Sequence, residues 1–171
     1  ISIEFDRMIA ETSQFGVSGL SLYVPPLCVQ LRDWCEWTGS PWDKVETVIG
    51  RSFRMLDWHE SIYTMAANAA LRLILDNDID PSKVGFLGFG TESSTDNATG
   101  AIIIKGMVDR ALEQMGRPRL SRNCEVPEFK QACLGGVYAL KAALRWLALD
   151  GRGRQAIVIS ADKAEYERGS S

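Results

Sequence analysis

The sequence predicts an α/β domain in which helices cover a parallel sheet. Three observations carry that prediction. Apolar segments of strand length alternate with segments whose apolar residues recur at helical spacing. Glycine, proline and Asp-Gly signals separate them. Polar loops follow the strand segments, as parallel βαβ units require. The 171 residues are 46% hydrophobic and 24% charged, with a formal net charge of -3. That is the profile of one globular domain able to bury a core without cross-links.

In chain order, "VSGLSLYVPP" alternates Leu20, Leu22 and Val24 with small or polar residues and stops at Pro25 and Pro26. It reads as a strand ended by residues that cannot continue a ladder. In "SIYTMAANAALRLILD", Ser61 is placed as an N-cap, and Ile62, Met65, Ala66, Ala69 and Leu73 share one helical face. "KVGFLGFG", residues 83–90, is a buried strand leading into the polar loop "TESSTD". A helix over 101–115 is closed by Gly116 and Pro118. "LSRNCEV", residues 120–126, reads as a short strand, the segment from Cys133 to about Leu149 as a helix before Asp150-Gly151, and "RQAIVIS", residues 154–160, as a final strand. Residues 1–16 form an amino-terminal arm and 17–171 the domain. A chain that starts at Ile1 without Met and stops at "ERGSS" reads as a piece of a longer polypeptide.

A mildly acidic balance gives no reason to expect nucleic acid or an anionic membrane as partner. Lys141 and Arg145, or Lys105 and Gly106, interrupt the longest apolar runs, so none reaches the ~20 residues of a membrane span. Ile1 to Thr12 carries acidic residues where a signal peptide would have its apolar core. Cys28, Cys35, Cys124 and Cys133 form no C-x-x-C pair and lie far in sequence from the single histidine, His59. No metal site is expected from that spacing, and the thiols are expected to be free in a reducing, cytoplasmic compartment.

In an open parallel sheet, ligands meet the chain beyond the carboxyl ends of the strands. Glu92 and Cys133 both lie there. A free cysteine is more often packing than chemistry. At a helix start, however, unpaired N–H groups and the positive dipole end favour a thiolate, and the Cys133 backbone N–H can face a developing oxyanion. Gly135 and Gly136 permit close approach of a substrate or, on the blander reading, of another backbone. Glu92 has Asp96 four residues on, so two carboxylates are placed to crowd one site, which suits a general base for a weakly acidic C–H. Thiol and base together suggest chemistry on thioesters. His59, just before a helix, is read as a loop residue.

Four stretches, "LYVPP", "TESSTD", "EFKQAC" and "SADKAEY", occur in the order and spacing of one family. The chain resembles the 3-hydroxy-3-methylglutaryl-CoA synthases, a branch of the thiolase-like condensing enzymes. The resemblance implies most of the amino-terminal βαβαβ half of a duplicated αβαβα architecture, usually dimeric. It implies that Cys133 accepts acetyl from acetyl-CoA, or from an acyl carrier protein. Glu92 would be the acid/base that lets the methyl add to the ketone of acetoacetyl-CoA, with Asp96, Asp162 and Tyr166 assisting. No cofactor is implied beyond the thioester substrates. The pathway implied is mevalonate and isoprenoid synthesis, or β-branching in polyketides. A histidine and an asparagine of the family's second half have no counterpart here. Leu134 stands where the family usually has Tyr. Two other readings share the cysteine: a β-ketoacyl synthase III-like ketosynthase, which commonly lacks a carboxylate at the Glu92 loop, and a noncatalytic partner subunit of the same fold.

Overall fold

A computed structural model describes residues 15–165. The expected arm lies outside them except for Phe15 and Gly16, and so does Tyr166. The elements run β1 (Leu27–Gln30), α1 (Leu31–Thr38), α2 (Trp42–Val48), β2 (Ser52–Met55), α3 (Ile62–Asp76), β3 (Val84–Gly90), α4 (Gly100–Gln114), β4 (Glu128–Phe129), α5 (Gly135–Leu149) and β5 (Gln155–Ser160).

The centre is a parallel three-stranded sheet in the order β4-β3-β5. Every residue of β3 is buried, because helices cover both faces and leave no reason for polar alternation. On one face Leu87, Phe89, Ile157 and Ile159 pack with Ile62, Ala66, Ala70 and Ile74 of α3 and Ile104, Val108 and Leu112 of α4. On the other, Phe86 packs with Ala143 and Trp146 of α5. A register irregularity between Val84 and Phe86 resets the alternation, so Val84 joins the first cluster with Leu87. The capping box of Ser61 and Thr64 starts α3 as its sequence predicts. Its buried stripe is turned toward Ala70 and Ile74, leaving Ala69 and Leu73 half-buried.

Several expectations need correction. Residues 17–24 are not a strand: they run irregularly, with Leu20, Leu22 and Val24 exposed. Alternation specifies a strand only where a sheet edge and an apolar face receive it, and here the segment is held by Tyr23 OH on Glu60 and Arg72 Nη1 on the Leu22 carbonyl. The antiparallel pair of β1 with β2, joined through α1 and α2, was not expected; it pairs Leu27 with Met55 through Gln30 with Ser52 and packs mainly on α1. The strand expected at 120–126 lies further on. Glu125, Pro127 and Phe129 carbonyls accept from Leu87, Phe89 and Thr91, and Pro127, lacking an N–H, confines this ladder to a sheet edge. Ala132–Leu149, the apolar run that Lys141 and Arg145 interrupt, has a mean hydropathy of 1.3 over 18 residues, enough by length and composition for a membrane span. Its helical part has 15 residues, a length of roughly 22 Å against the ~30 Å of a bilayer core, and it packs on β3 and β5.

Candidate active site

Two loops at the carboxyl end of the sheet build the site. One follows β3 and carries Glu92; the other joins β4 to α5 and carries Cys133. Backbone contact brings them together. A Cβ on Gly90 would stand 2.2 Å from Gly136 N and 2.3 Å from the Gly135 carbonyl carbon. A Cβ on Gly135 would stand 2.7 Å from Phe129 O and 2.9 Å from Thr91 N. No side chain fits, so the start of α5 lies directly on the end of β3. The glycine pair therefore serves chain packing, the blander of its two readings.

Cys133 does not open the helix. Leu134 is the N-cap and Gly135 the first helical residue. Ala132, at φ 41°, occupies the left-handed region that side chains avoid, a local cost of about 1 kcal/mol. Leu134 N and Gly135 N donate to Gln131 O and Ala132 O, and among the described residues the Cys133 N–H meets no acceptor. It remains available for an oxyanion. The outcome of this geometry is a contact between residues 41 apart in sequence: Cys133 Sγ lies 3.9 Å from Glu92 Oε2, and both are exposed.

Asp162, at the end of β5, organises the loop of the base. Its Oδ1 accepts from Thr91 Oγ1 at 2.8 Å, Glu92 N at 2.7 Å, Ser93 N at 3.1 Å and Ser93 Oγ at 2.8 Å. Burial opposes its charge, but these donors outweigh it and hold the carboxyl below the ordinary carboxylate range.

Asp96 does not crowd Glu92 as expected. It caps α4, accepting from Thr99 N and Gly100 N, and takes the hydroxyl of Tyr63. Partial burial raises its pKa, yet the Tyr63 and Thr99 donors win and hold it at about 2. Burial and the Asp96 carboxylate together push the Tyr63 hydroxyl up. A helix N-terminus accounts for a second carboxylate in this loop, so none has to be assigned to proton transfer.

Glu128, Lys130, Tyr63, Thr91 and Ser93 were not singled out from sequence. Two charged residues one apart in "EFKQAC", at strand spacing just before the cysteine, were the available signal for Glu128 and Lys130. His59 is exposed, 3.6 Å from Asp57 and edge-on to Trp58, and takes no part in the Cys133–Glu92 pair. Cys35 is buried; Cys124 is half-buried, and burial lifts its thiol to about 11. Among the described residues no three potential metal ligands lie together. Leu134 is 53% exposed, next in sequence to the nucleophile candidate.

The chain is similar to known proteins over most of its length. A hydroxymethylglutaryl coenzyme A synthase from a Fusarium species is 30% identical over 158 residues, 91% of this chain and 33% of its own length. The structure of MvaS in complex with 3-hydroxy-3-methylglutaryl coenzyme A superposes with a TM-score of 0.79 at 30% identity, covering 91% of this chain and 36% of that one. The HMG synthase of the curacin biosynthetic pathway, in complex with holo donor-ACP, gives a TM-score of 0.71 at 26% identity, covering 86% and 34%. The chain spans about a third of the length of the curated relatives it matches. The family described as hydroxymethylglutaryl-coenzyme A synthase N terminal matches residues 11–171. By that match, and with a thiolase-like α/β arrangement to carry it, the chain belongs to the hydroxymethylglutaryl-CoA synthase family, in its amino-terminal region.

Proposed function

We propose that this chain supplies the nucleophile and the general base of an enzyme that condenses an acetyl group with a β-ketoacyl thioester, giving a 3-hydroxy-3-methylglutaryl-type product. The observation that carries the reading is the 3.9 Å approach of Cys133 Sγ to Glu92 Oε2.

The sulfur attacks the carbonyl carbon of an acetyl thioester while its proton passes to Glu92. Two anions this close repel, so a proton handed over during attack suits the pair. The oxyanion, met by the Cys133 N–H, collapses and expels the carrier thiolate, which takes the proton back from Glu92. Glu92 then removes a proton from the methyl of acetyl-Cys133. The methyl carbon forms a bond to the ketone carbon of acetoacetyl-CoA or a related thioester, and the alkoxide recovers the proton from Glu92. Water cleaves the Cys133 thioester, freeing a carboxylic acid and the thiol. The steps are proton transfer, acyl transfer to and from sulfur, and addition of carbon to a ketone, so the thioesters and water are the small molecules they require.

The relatives support both carriers: MvaS is described with a coenzyme A ester and the curacin synthase with a donor carrier protein. The test is to incubate the complete protein with acetyl-CoA or acetyl carrier protein and to map acetyl by mass spectrometry. Acetyl on Cys133, discharged by acetoacetyl-CoA with formation of the branched product, is expected. A Cys133 that takes acetyl from neither donor overturns the reading.

A further inference from the structure

Strand β4 grips the loop of the base as well as leading to the nucleophile. The Glu128 side chain is wholly buried, and it accepts from Ser94 Oγ at 2.8 Å and Ala101 N at 3.3 Å. Lys130 Nζ donates to Ser94 O at 3.3 Å and to Asp96 O, and lies 3.7 Å from Glu128 Oε1. These contacts span the loop from its middle to the first turn of α4. Asp162 holds its other half at Thr91, Glu92 and Ser93. Burying a carboxylate is costly unless it is paired and hydrogen-bonded, and this one takes both of its hydrogen bonds from the Glu92 loop and the first turn of α4 that follows it. Three residues beyond Lys130 the segment that follows β4 delivers Cys133. The distance between sulfur and base is thus set by one short piece of chain.

We infer that Glu128 and Lys130 are positioning residues for the general base, fixing the Glu92 loop relative to Cys133 so that the carboxylate meets the methyl of an acyl group on sulfur. The inference rests on the condensing reaction proposed above. Neither side chain touches a reacting atom. Loosening them costs most in the step that is most sensitive to position. A thiol can lose its proton to water when the carboxylate is misplaced; an acetyl methyl cannot, because its C–H is too weak an acid. Acetylation of Cys133 is therefore the tolerant step and carbon–carbon bond formation the sensitive one.

The experiment compares the complete protein with its Lys130→Met, Lys130→Arg and Glu128→Gln variants. Lys130 is partly exposed, so its replacement leaves the core intact. Three quantities are read: the rate at which Cys133 takes acetyl, the single-turnover rate at which acetoacetyl-CoA consumes that acetyl, and amide hydrogen exchange over residues 92–101 and in β3. K130M and E128Q should slow condensation on the order of tenfold or more while acetylation changes by less than about threefold. K130R should recover most of the loss. Exchange should rise in the loop and stay unchanged in β3. Equal losses in both steps with faster exchange in β3, or condensation at the unsubstituted rate in K130M and E128Q, overturn the inference alone. An unsubstituted protein that takes no acetyl overturns the condensing reaction and this inference with it.

Discussion

In the central strands β3 and β5 the apolar side chains lie between helices on the two faces of a sheet, whereas much of the apolar surface between 15 and 58 stands in solvent. Leu87 and Phe89 are 0% exposed, but Leu20 is 80% and Trp58 93% exposed. The two regions do not differ much in kind of residue. They differ in what lies against them. The sheet has α5 on one face and α3 with α4 on the other, so its apolar residues gain the full benefit of burial. The antiparallel pair β1–β2 packs mainly on α1, and residues 17–24 join neither sheet. An alternating apolar segment is a request for a partner layer, and the chain meets that request only in its second part.

The site sits at the end of the well-covered region, and the largest expected effect lies there. Glu92→Ala removes the base but none of the packing, since the side chain is exposed. Condensation by acetylated protein should fall by about 10²- to 10⁴-fold, with the fold unchanged by circular dichroism. Normal condensation in this variant would leave the Cys133–Glu92 contact without a catalytic meaning.

Next comes the contact that brings the two loops together. Gly90→Ala sets a methyl against the backbone of Gly135 and Gly136, where no flexible side chain can give way. A loss of about 3 kcal/mol or more is expected in urea unfolding, the upper range for overpacking, with slower alkylation of Cys133 as its loop is displaced. A neutral result would mean that α5 can slide on β3, and that the 3.9 Å contact depends on something other than the glycines.

What the sequence revealed follows the same division. The order of β3, α4, α5 and β5 was legible because β3 is buried throughout and each helix carries a buried stripe at helical spacing. So was the pairing of Glu92 with Cys133, through motif order rather than geometry. The pairing of β1 with β2 was not legible because strands this short, mostly exposed, carry no strong period. The strand near 125 was misplaced because Pro127 interrupts its pattern. That Asp96 holds a helix end was not legible, because four residues of spacing in a loop do not say which way a carboxylate points. The hold of Glu128 on the Glu92 loop was not legible because its partner Ser94 lies 34 residues away in sequence.

Asp96 offers a smaller effect with a definite sign. Its carboxyl is held at about 2 against an ordinary 3.8, so it binds protons less readily folded than unfolded. Its contribution is complete above the unfolded value and is lost as pH falls through that value toward about 2. Asp162, lowered in the same direction, adds to this. With partial exposure taken into account, Asp96 supplies about 1–2 kcal/mol at neutral pH. Asp96→Asn keeps a cap for α4 but removes the titration, so the slope of stability against pH between about 4 and 2 should flatten. An unchanged slope would show that Tyr63 and the amides of α4 favour the neutral and charged carboxyl equally.

The smallest expected effect is the sharpest test of the comparison. If residues 17–24 are unpartnered, Leu20→Ser should change stability by less than about 0.5 kcal/mol, the ordinary range for a surface substitution. Leu87→Ala, at the centre of the sheet, should cost about 2–5 kcal/mol. The chemical change is similar in size at the two positions, so the ratio of effects measures the covering layers rather than the residues. The same Leu20→Ser change in the complete protein asks a second question. A cost there well above about 0.5 kcal/mol would mean that further chain supplies the missing layer over Leu20, Leu22 and Val24. In that case the alternation that misleads in residues 15–165 reads correctly for the protein as a whole.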